Sequence, residues 1–382
     1  MRFFVIGSLM LVVLTGCCSR GFSPPPAEVF DVARLADSAI DPASASRDYH
    51  STLLAYDAKD LRVEGKGWAD TETFYERLPA RAKSQVSPAV RDLCAHSAGI
   101  AVRFVTDAKK IHVAWKVGGF DMKHMPWTGI RGLDLYARRN GKWEFAGSGV
   151  PRNDTSTTGT IGHYVPEMSG APTEFMLYLP LYDRTRDLKI LLPEDAFLAP
   201  APPRPADRAK PIVFYGTSIT QGGCASRTGM CHAAILGRWL DREVINLGFS
   251  GSGKMEPVMA DLLAELDPCL YVLECLPNMD AEMVAERVEP TVKTLRKAHP
   301  KTPILLVENP IPFTDKSLNA ELRKVYQRIT EQGIPEVYYL PGEKQFAGVE
   351  DCTVDGVHPT DLGFERMARV YYPVLAGILG LP

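Results

Sequence analysis

Near the end of the chain stands Asp355-Gly356-Val357-His358. Far upstream, Ser218 lies two residues beyond the apolar run Ile212–Tyr215, in Gly216-Thr217-Ser218. A serine hydroxyl is a weak nucleophile until a base takes its proton. Histidine is such a base when a carboxylate fixes its tautomer and stabilises the imidazolium. Ser218, His358 and Asp355 are the residue types this acyl-transfer chemistry needs. The oxyanion formed on attack needs fixed donors, and losing one costs about 2.7–4 kcal/mol. The backbone N–H groups of Ser218 and Gly248 and the side-chain amide of Asn278 are the candidate donors. Taken singly, each residue has a plainer reading. Ser218 and Asn278 read as helix N-caps, Asp355-Gly356 as a turn, Gly248 as a tight turn after a strand and His358 as a loop residue. The case is joint, and it depends on the elements that place them.

From residue 211 onward, apolar strand candidates at Ile212–Tyr215, Val244–Leu247, Leu270–Cys275, Ile304–Val307 and Val337–Leu340 alternate with helical patterns. The helices are expected at Cys231–Leu240, Pro257–Leu266, Ala281–Ala298, Lys316–Gln332 and Asp361–Leu379. Five alternations predict an α/β fold, a flavodoxin-like doubly wound parallel five-stranded sheet over residues 211–382. Ligands of such sheets bind beyond the carboxyl ends of the strands. Ser218, Gly248, Asn278 and the Asp355–His358 loop follow strands one, two, three and five. Residues 51–197 instead read as short alternating strands with turn punctuation, including Asn140-Gly141 as a hairpin turn. They predict a β-sandwich or jelly roll. Residues 198–210, LAPAPPRPADRAK, read as an extended proline-rich linker.

These residues resemble the SGNH (GDSL-like) hydrolase family. Its pattern is a G-x-S block, a Gly after strand two, an Asn after strand three and a late D-x-x-H. Here they stand as Gly216-Thr217-Ser218, Gly248, Asn278 and Asp355-Gly356-Val357-His358. Gly132 to Tyr136, GLDLY, looks like the G-x-D-L-Y motif of a β domain found ahead of certain bacterial members. The first block has Thr217 where many members have Asp, and the third reads L-P-N-M rather than G-x-N-D. Those departures bear on substrate preference more than on activity. The resemblance implies an exported serine esterase with an acyl-Ser218 intermediate, removing acetyl or other small acyl groups from carbohydrate. A lipase or thioesterase on longer chains, an acyltransferase and a non-catalytic carbohydrate-binding lipoprotein are the alternatives.

With a net charge of −3 over 382 residues and no basic stripe, the sequence offers no footprint for nucleic acid. No Cys/His spacing of a zinc site occurs, so neither a metal nor another cofactor is expected. The oligomeric state is not legible. Arg2, an apolar stretch too short to span a bilayer and Leu14-Thr15-Gly16-Cys17 resemble a bacterial lipoprotein signal. Residues 1–17 are then the signal, Cys17 the lipidated residue attached to a membrane of the cell envelope, and 18–50 a tether. An ordinary secretory signal or a short anchor is the alternative, and each implies export. Cys224 and Cys231 close a short loop and are either a disulfide or buried thiols. The Asp121–Gly129 loop, DMKHMPWTG, is expected to reach over the active site, to bind sugar by stacking, or to pack in the core or at an interface. His232 is expected at the surface or packed locally, Glu308 in a structural hydrogen bond or on the pocket wall, and Trp68, Trp115 and Trp143 in the sandwich.

Overall fold

The computed structural model describes residues 35–47, 52–153, 155–161, 171–311, 317–346 and 351–381. The signal segment, Cys17 and much of the tether lie outside the described residues.

The carboxyl half is a parallel sheet ordered Val244–Gly248, Ile212–Gly216, Leu270–Glu274, Ile304–Val307 and Val337–Leu340 from edge to edge. The chain-first strand is therefore second in space, and the order reverses beside it. That reversal opens a crevice at the carboxyl ends of its strands. Alternate residues of each strand serve opposite faces. Phe214, Val272 and Leu305 pack with the helices His232–Trp239 and Asp361–Ile378. Val213, Tyr215, Tyr271 and Leu273 pack with Pro257–Ala264, Ala281–Ala298 and Ser317–Glu331. Strands apolar on both faces are what a doubly covered parallel sheet requires.

The amino half is a sandwich of two antiparallel sheets. One runs Ser46–Arg47, Leu53–Asp57, Thr185–Pro193, His112–Val117 and Ser156–Thr160. The other runs Leu198–Pro200, Ala101–Thr106, Thr173–Tyr178, Leu133–Arg139 and Lys142–Gly149, with Arg62–Glu64 also pairing onto Ala101–Thr106. Leu54, Trp115, Phe104 and Phe175 fill the space between the sheets.

The proline-rich segment is less of a linker than its composition suggests. Leu198–Pro200 forms an edge strand against Ala101–Thr106, a place where proline's missing donor does no harm. Arg204 is nearly buried and bridges Glu64 at 2.9 Å and Asp241 at 3.1 Å, joining the two halves. Burial opposes the Glu64 charge, but Arg204 and Arg103 outweigh it and hold the carboxyl below its ordinary range. Of the three tryptophans expected in the sandwich, only Trp115 is in its core. Trp68 packs on the hydrolase half and donates to Glu265 at 2.8 Å, and Trp143 donates to Asp241 at 3.1 Å. Indoles carry a donor as well as apolar area, which suits them to a joint with charged partners.

Candidate active site

Strand Ile212–Gly216 ends at Thr217, which caps the short helix Ser218–Gln221. Its Oγ1 accepts from the Ile219 amide at 3.2 Å, and Thr220 Oγ1 accepts from the Thr217 amide at 3.0 Å. The capping role that Ser218 could have filled thus falls to Thr217. Ser218 Oγ is left to His358, whose Nε2 is 2.9 Å away. On the far side of the ring, Nδ1 lies 2.7 Å from Asp355 Oδ2.

The Asp355–His358 loop is closed by a bridge between Thr353 and Pro359, with the Val354 amide donating to His358 O at 2.8 Å. Asp355 Oδ1 accepts from the amides of Val357 at 3.0 Å and His358 at 2.8 Å. Partial burial works against the Asp355 charge. The hydrogen bonds from the His358 amide and ring and the Val357 amide overcome it and hold the carboxyl at about 2. A carboxylate on Nδ1 favours the tautomer whose Nε2 accepts from the serine hydroxyl.

The expected oxyanion donors are placed unevenly. The Ser218 amide, at the helix N-terminus, has no partner among the described residues. The Gly248 amide donates to Asn246 Oδ1 at 2.9 Å and is not free for an oxyanion, which corrects the reading of that residue as a donor. Gly248 is required for another reason: a Cβ there would lie 2.1 Å from the Gln221 nitrogen, because strand two and the nucleophile helix touch. Along the loop that follows, the amides of Phe249, Ser252 and Gly253 go to backbone oxygens, and that of Ser250 goes to Gln221 Oε1 at 3.1 Å. Within this loop only the Gly251 amide has no partner among the described residues. Gly251 is exposed and left-handed, with φ of 67°. Sequence reading missed it because the glycine nearest the strand end drew the assignment. Asn278 docks on the same loop. With its oxygen accepting from Ser252 and Gly253 amides at 3.1 and 3.2 Å, its NH2 is released to the other side.

The sandwich half builds much of this site's support. Arg77 is buried and donates to Gly248 O at 2.6 Å, Asn246 O at 3.2 Å and His96 O at 2.8 Å. Asp134, third residue of the GLDLY run, is fully buried and accepts from Arg227 Nη1 at 2.7 Å and the Gly229 amide at 2.9 Å. That anchors the loop after the nucleophile helix. The Asp121–Gly129 loop does reach the active site: His124 Nε2 is 4.0 Å from Asp355 Oδ2.

His232 is wholly buried rather than at the surface, with Nε2 2.9 Å from Glu274 Oε1, while Oε2 of the same carboxylate accepts from Tyr371 on the helix Asp361–Ile378. Glu308 is structural, accepting from the Gly342 amide at 2.8 Å and Arg323 at 2.6 Å. Cys224 and Cys231 are free thiols.

Residues 209–376 match the model of the GDSL-like Lipase/Acylhydrolase family, and residues 54–198 match that of the "N-terminus of Esterase_SGNH_hydro-type". A protein described as a GDSL-like lipase from Bacteroides ovatus is 33% identical, with 86% of this chain and 99% of that chain covered and a TM-score of 0.80. Two more distant structures share the fold. One is a salicylyl-acyltransferase from a tetracycline biosynthetic pathway (18% identity, 87% and 98% covered, TM-score 0.72). The other is a family two carbohydrate esterase from Clostridium thermocellum (16% identity, 75% and 93% covered, TM-score 0.56). No curated protein matches the chain by sequence.

Proposed function

We propose that this chain, which belongs to the GDSL-like lipase/acylhydrolase (SGNH) family and is a serine hydrolase, is an exported esterase that removes acetyl or other small acyl groups from carbohydrate. The observation that carries the chemistry is the continuous Asp355–His358–Ser218 hydrogen-bond chain at 2.7 and 2.9 Å.

His358 Nε2 takes the hydroxyl proton as Ser218 Oγ adds to the ester carbonyl, and Asp355 stabilises the imidazolium. The oxyanion is held by the amides of Ser218 and Gly251 and the NH2 of Asn278. Collapse passes the proton from His358 to the leaving alcohol. Water, activated by the same nitrogen, then releases the acyl group from Ser218.

Two of the three triad side chains reach solvent, His358 and Asp355 at 21% and 36% exposure, while Ser218 is 7% exposed. Access of water to His358 supports hydrolysis over transfer. Export through the signal at residues 1–17, with a lipid on Cys17 tethering the enzyme at the cell envelope, sets it where sugar polymers are met. The shared architecture with a carbohydrate esterase agrees with this substrate class. The test is acetate release from acetylated polysaccharide beside a p-nitrophenyl ester series from acetate to octanoate. Acetate release with a rate that falls as the chain lengthens supports the reading. A preference for octanoate with no release from glycan would replace it with a lipase.

A further inference from the structure

Among the described residues, one group of three metal-ligating side chains comes together, and it stands on the active site. Ligand atoms of His124, Cys224 and His358 lie within 4.8 Å of one another. They arrive from three parts of the chain. His124 comes from the sandwich half, its ring centroid 5.5 Å from that of His358. Cys224 follows the nucleophile helix on a left-handed residue with φ of 71°, and it is buried and free. Hydrolysis gives neither His124 nor Cys224 a task. Burial, aided by the Asp355 charge, pushes the Cys224 thiol up to about 12, so it is no rival nucleophile to Ser218.

We propose that His124, Cys224 and His358 form an inhibitory site for a borderline-soft divalent cation of the Zn2+ type. Two imidazoles and a sulfur are the donor set such a cation prefers, in a tetrahedron with water in the fourth position. Bonds of about 2.0–2.1 Å to nitrogen and 2.3 Å to sulfur put the donors about 3.3–3.6 Å apart. The present span must therefore close by roughly 1 Å. His124, on an exposed loop with a side chain 41% exposed, has the freedom to make that movement. On binding, Cys224 releases its proton to solvent; nothing is oxidised or reduced. His358 has two nitrogens to offer. Nε2 accepts the serine proton and Nδ1 is held by Asp355, so either choice takes a hydrogen bond from the triad. Cation binding and turnover then exclude one another. The ligands are scattered at positions 124, 224 and 358, which is why no spacing rule finds them.

This inference rests on the esterase reading for its rate measurement only, and binding is read separately. Full-length enzyme is titrated with ZnCl2 in a non-coordinating buffer while p-nitrophenyl acetate hydrolysis is followed. Zn2+ uptake by Ser218→Ala, which keeps all three ligands, is measured by competition with a chromophoric chelator. The expected result is one Zn2+ per chain, inhibition reversed by EDTA, and an inhibition midpoint raised roughly tenfold or more in His124→Ala, read as a fraction of that variant's own uninhibited rate. Cys224→Ser should shift the midpoint the same way. If His124→Ala is inhibited at the wild-type midpoint, or Ser218→Ala takes up no Zn2+, the site does not exist as drawn. If the enzyme hydrolyses no ester yet Ser218→Ala binds one Zn2+ through His124, the esterase reading fails and the metal site stands.

Discussion

Arg77 Nη1, from the sandwich half, donates at 2.6 Å to the carbonyl oxygen of Gly248, at the end of the second strand of the hydrolase half. The same guanidinium binds Asn246 O, His96 O and Leu93 O and stacks over Phe249 at 4.7 Å. One buried cation therefore sets the root of the loop that carries Gly251. Arg77→Lys keeps the charge but cannot reach all four carbonyls at once. It should lower kcat about 10- to 100-fold, less than the roughly 100- to 1000-fold that loss of an oxyanion donor itself costs, with a smaller change in KM. Steady-state kinetics with a thermal melt check this; an unchanged kcat in a folded variant would remove Arg77 from the site's support.

Asn278 and the two glycines separate chemistry from architecture. Asn278→Ala should reduce kcat on the order of 100- to 1000-fold with a near-normal melting temperature. Gly248→Ala must push its Cβ away from the Gln221 nitrogen 2.1 Å off, so its first effect is on folding. Gly251→Ala meets no atom within 4 Å and bears only the left-handed backbone cost, about 1–2 kcal/mol. Denaturant melts of the pair should rank Gly248→Ala well below Gly251→Ala.

Asp134 ties the two halves through Arg227, and Arg227 keeps a side-chain exposure of 24%. Breaking a buried pair from one side costs about 3–5 kcal/mol. Solvent screening at Arg227 brings the expectation for Asp134→Ala down to about 2 kcal/mol. Residues 211–382 alone should be inactive on p-nitrophenyl acetate, since Arg77, Asp134 and half of the apolar joint are gone. Activity in that fragment comparable to the whole chain would make the sandwich dispensable.

Glu243, whose Oε1 accepts from the Gly65 amide at 2.7 Å, is pushed up to about 7 by burial and then by the neighbouring Glu64 charge. A carboxyl raised on folding binds its proton more tightly in the native state. Its stabilising contribution is complete below the unfolded value of 4.5 and is lost as pH rises through about 7. This group should cost stability as pH rises from about 4.5 to about 7, and Glu243→Gln should flatten that slope. Urea melts across this range read it directly; parallel slopes would show that Glu243 is not the group responsible.

Much of this was legible in the sequence because local patterns and topology point the same way. Runs such as Leu270–Glu274 are apolar on both faces, and only a covered parallel sheet explains five of them separated by helices. That fixed which strand ends share an edge, and so brought together Ser218, Asn278, Asp355 and His358. The hydrogen bond that commits the Gly248 amide was not legible, because it depends on the rotamer of Asn246 two residues earlier. Nor was the joint between the halves. Arg77, Asp134 and Arg204 look like ordinary surface charges until tertiary structure buries them. The burial of His232 was hidden for the same reason: its partner Glu274 lies 42 positions away, at the end of an otherwise apolar strand.

The central claim is that Ser218 is the nucleophile of an esterase. The most direct measurement is p-nitrophenyl acetate hydrolysis by the full chain and by folded Ser218→Ala, with mass spectrometry of the quenched wild type. The account predicts turnover by wild type, an acetyl group on the peptide containing Ser218, and loss of both in the variant. Turnover that survives in Ser218→Ala, or an acetyl group on another residue, would contradict it.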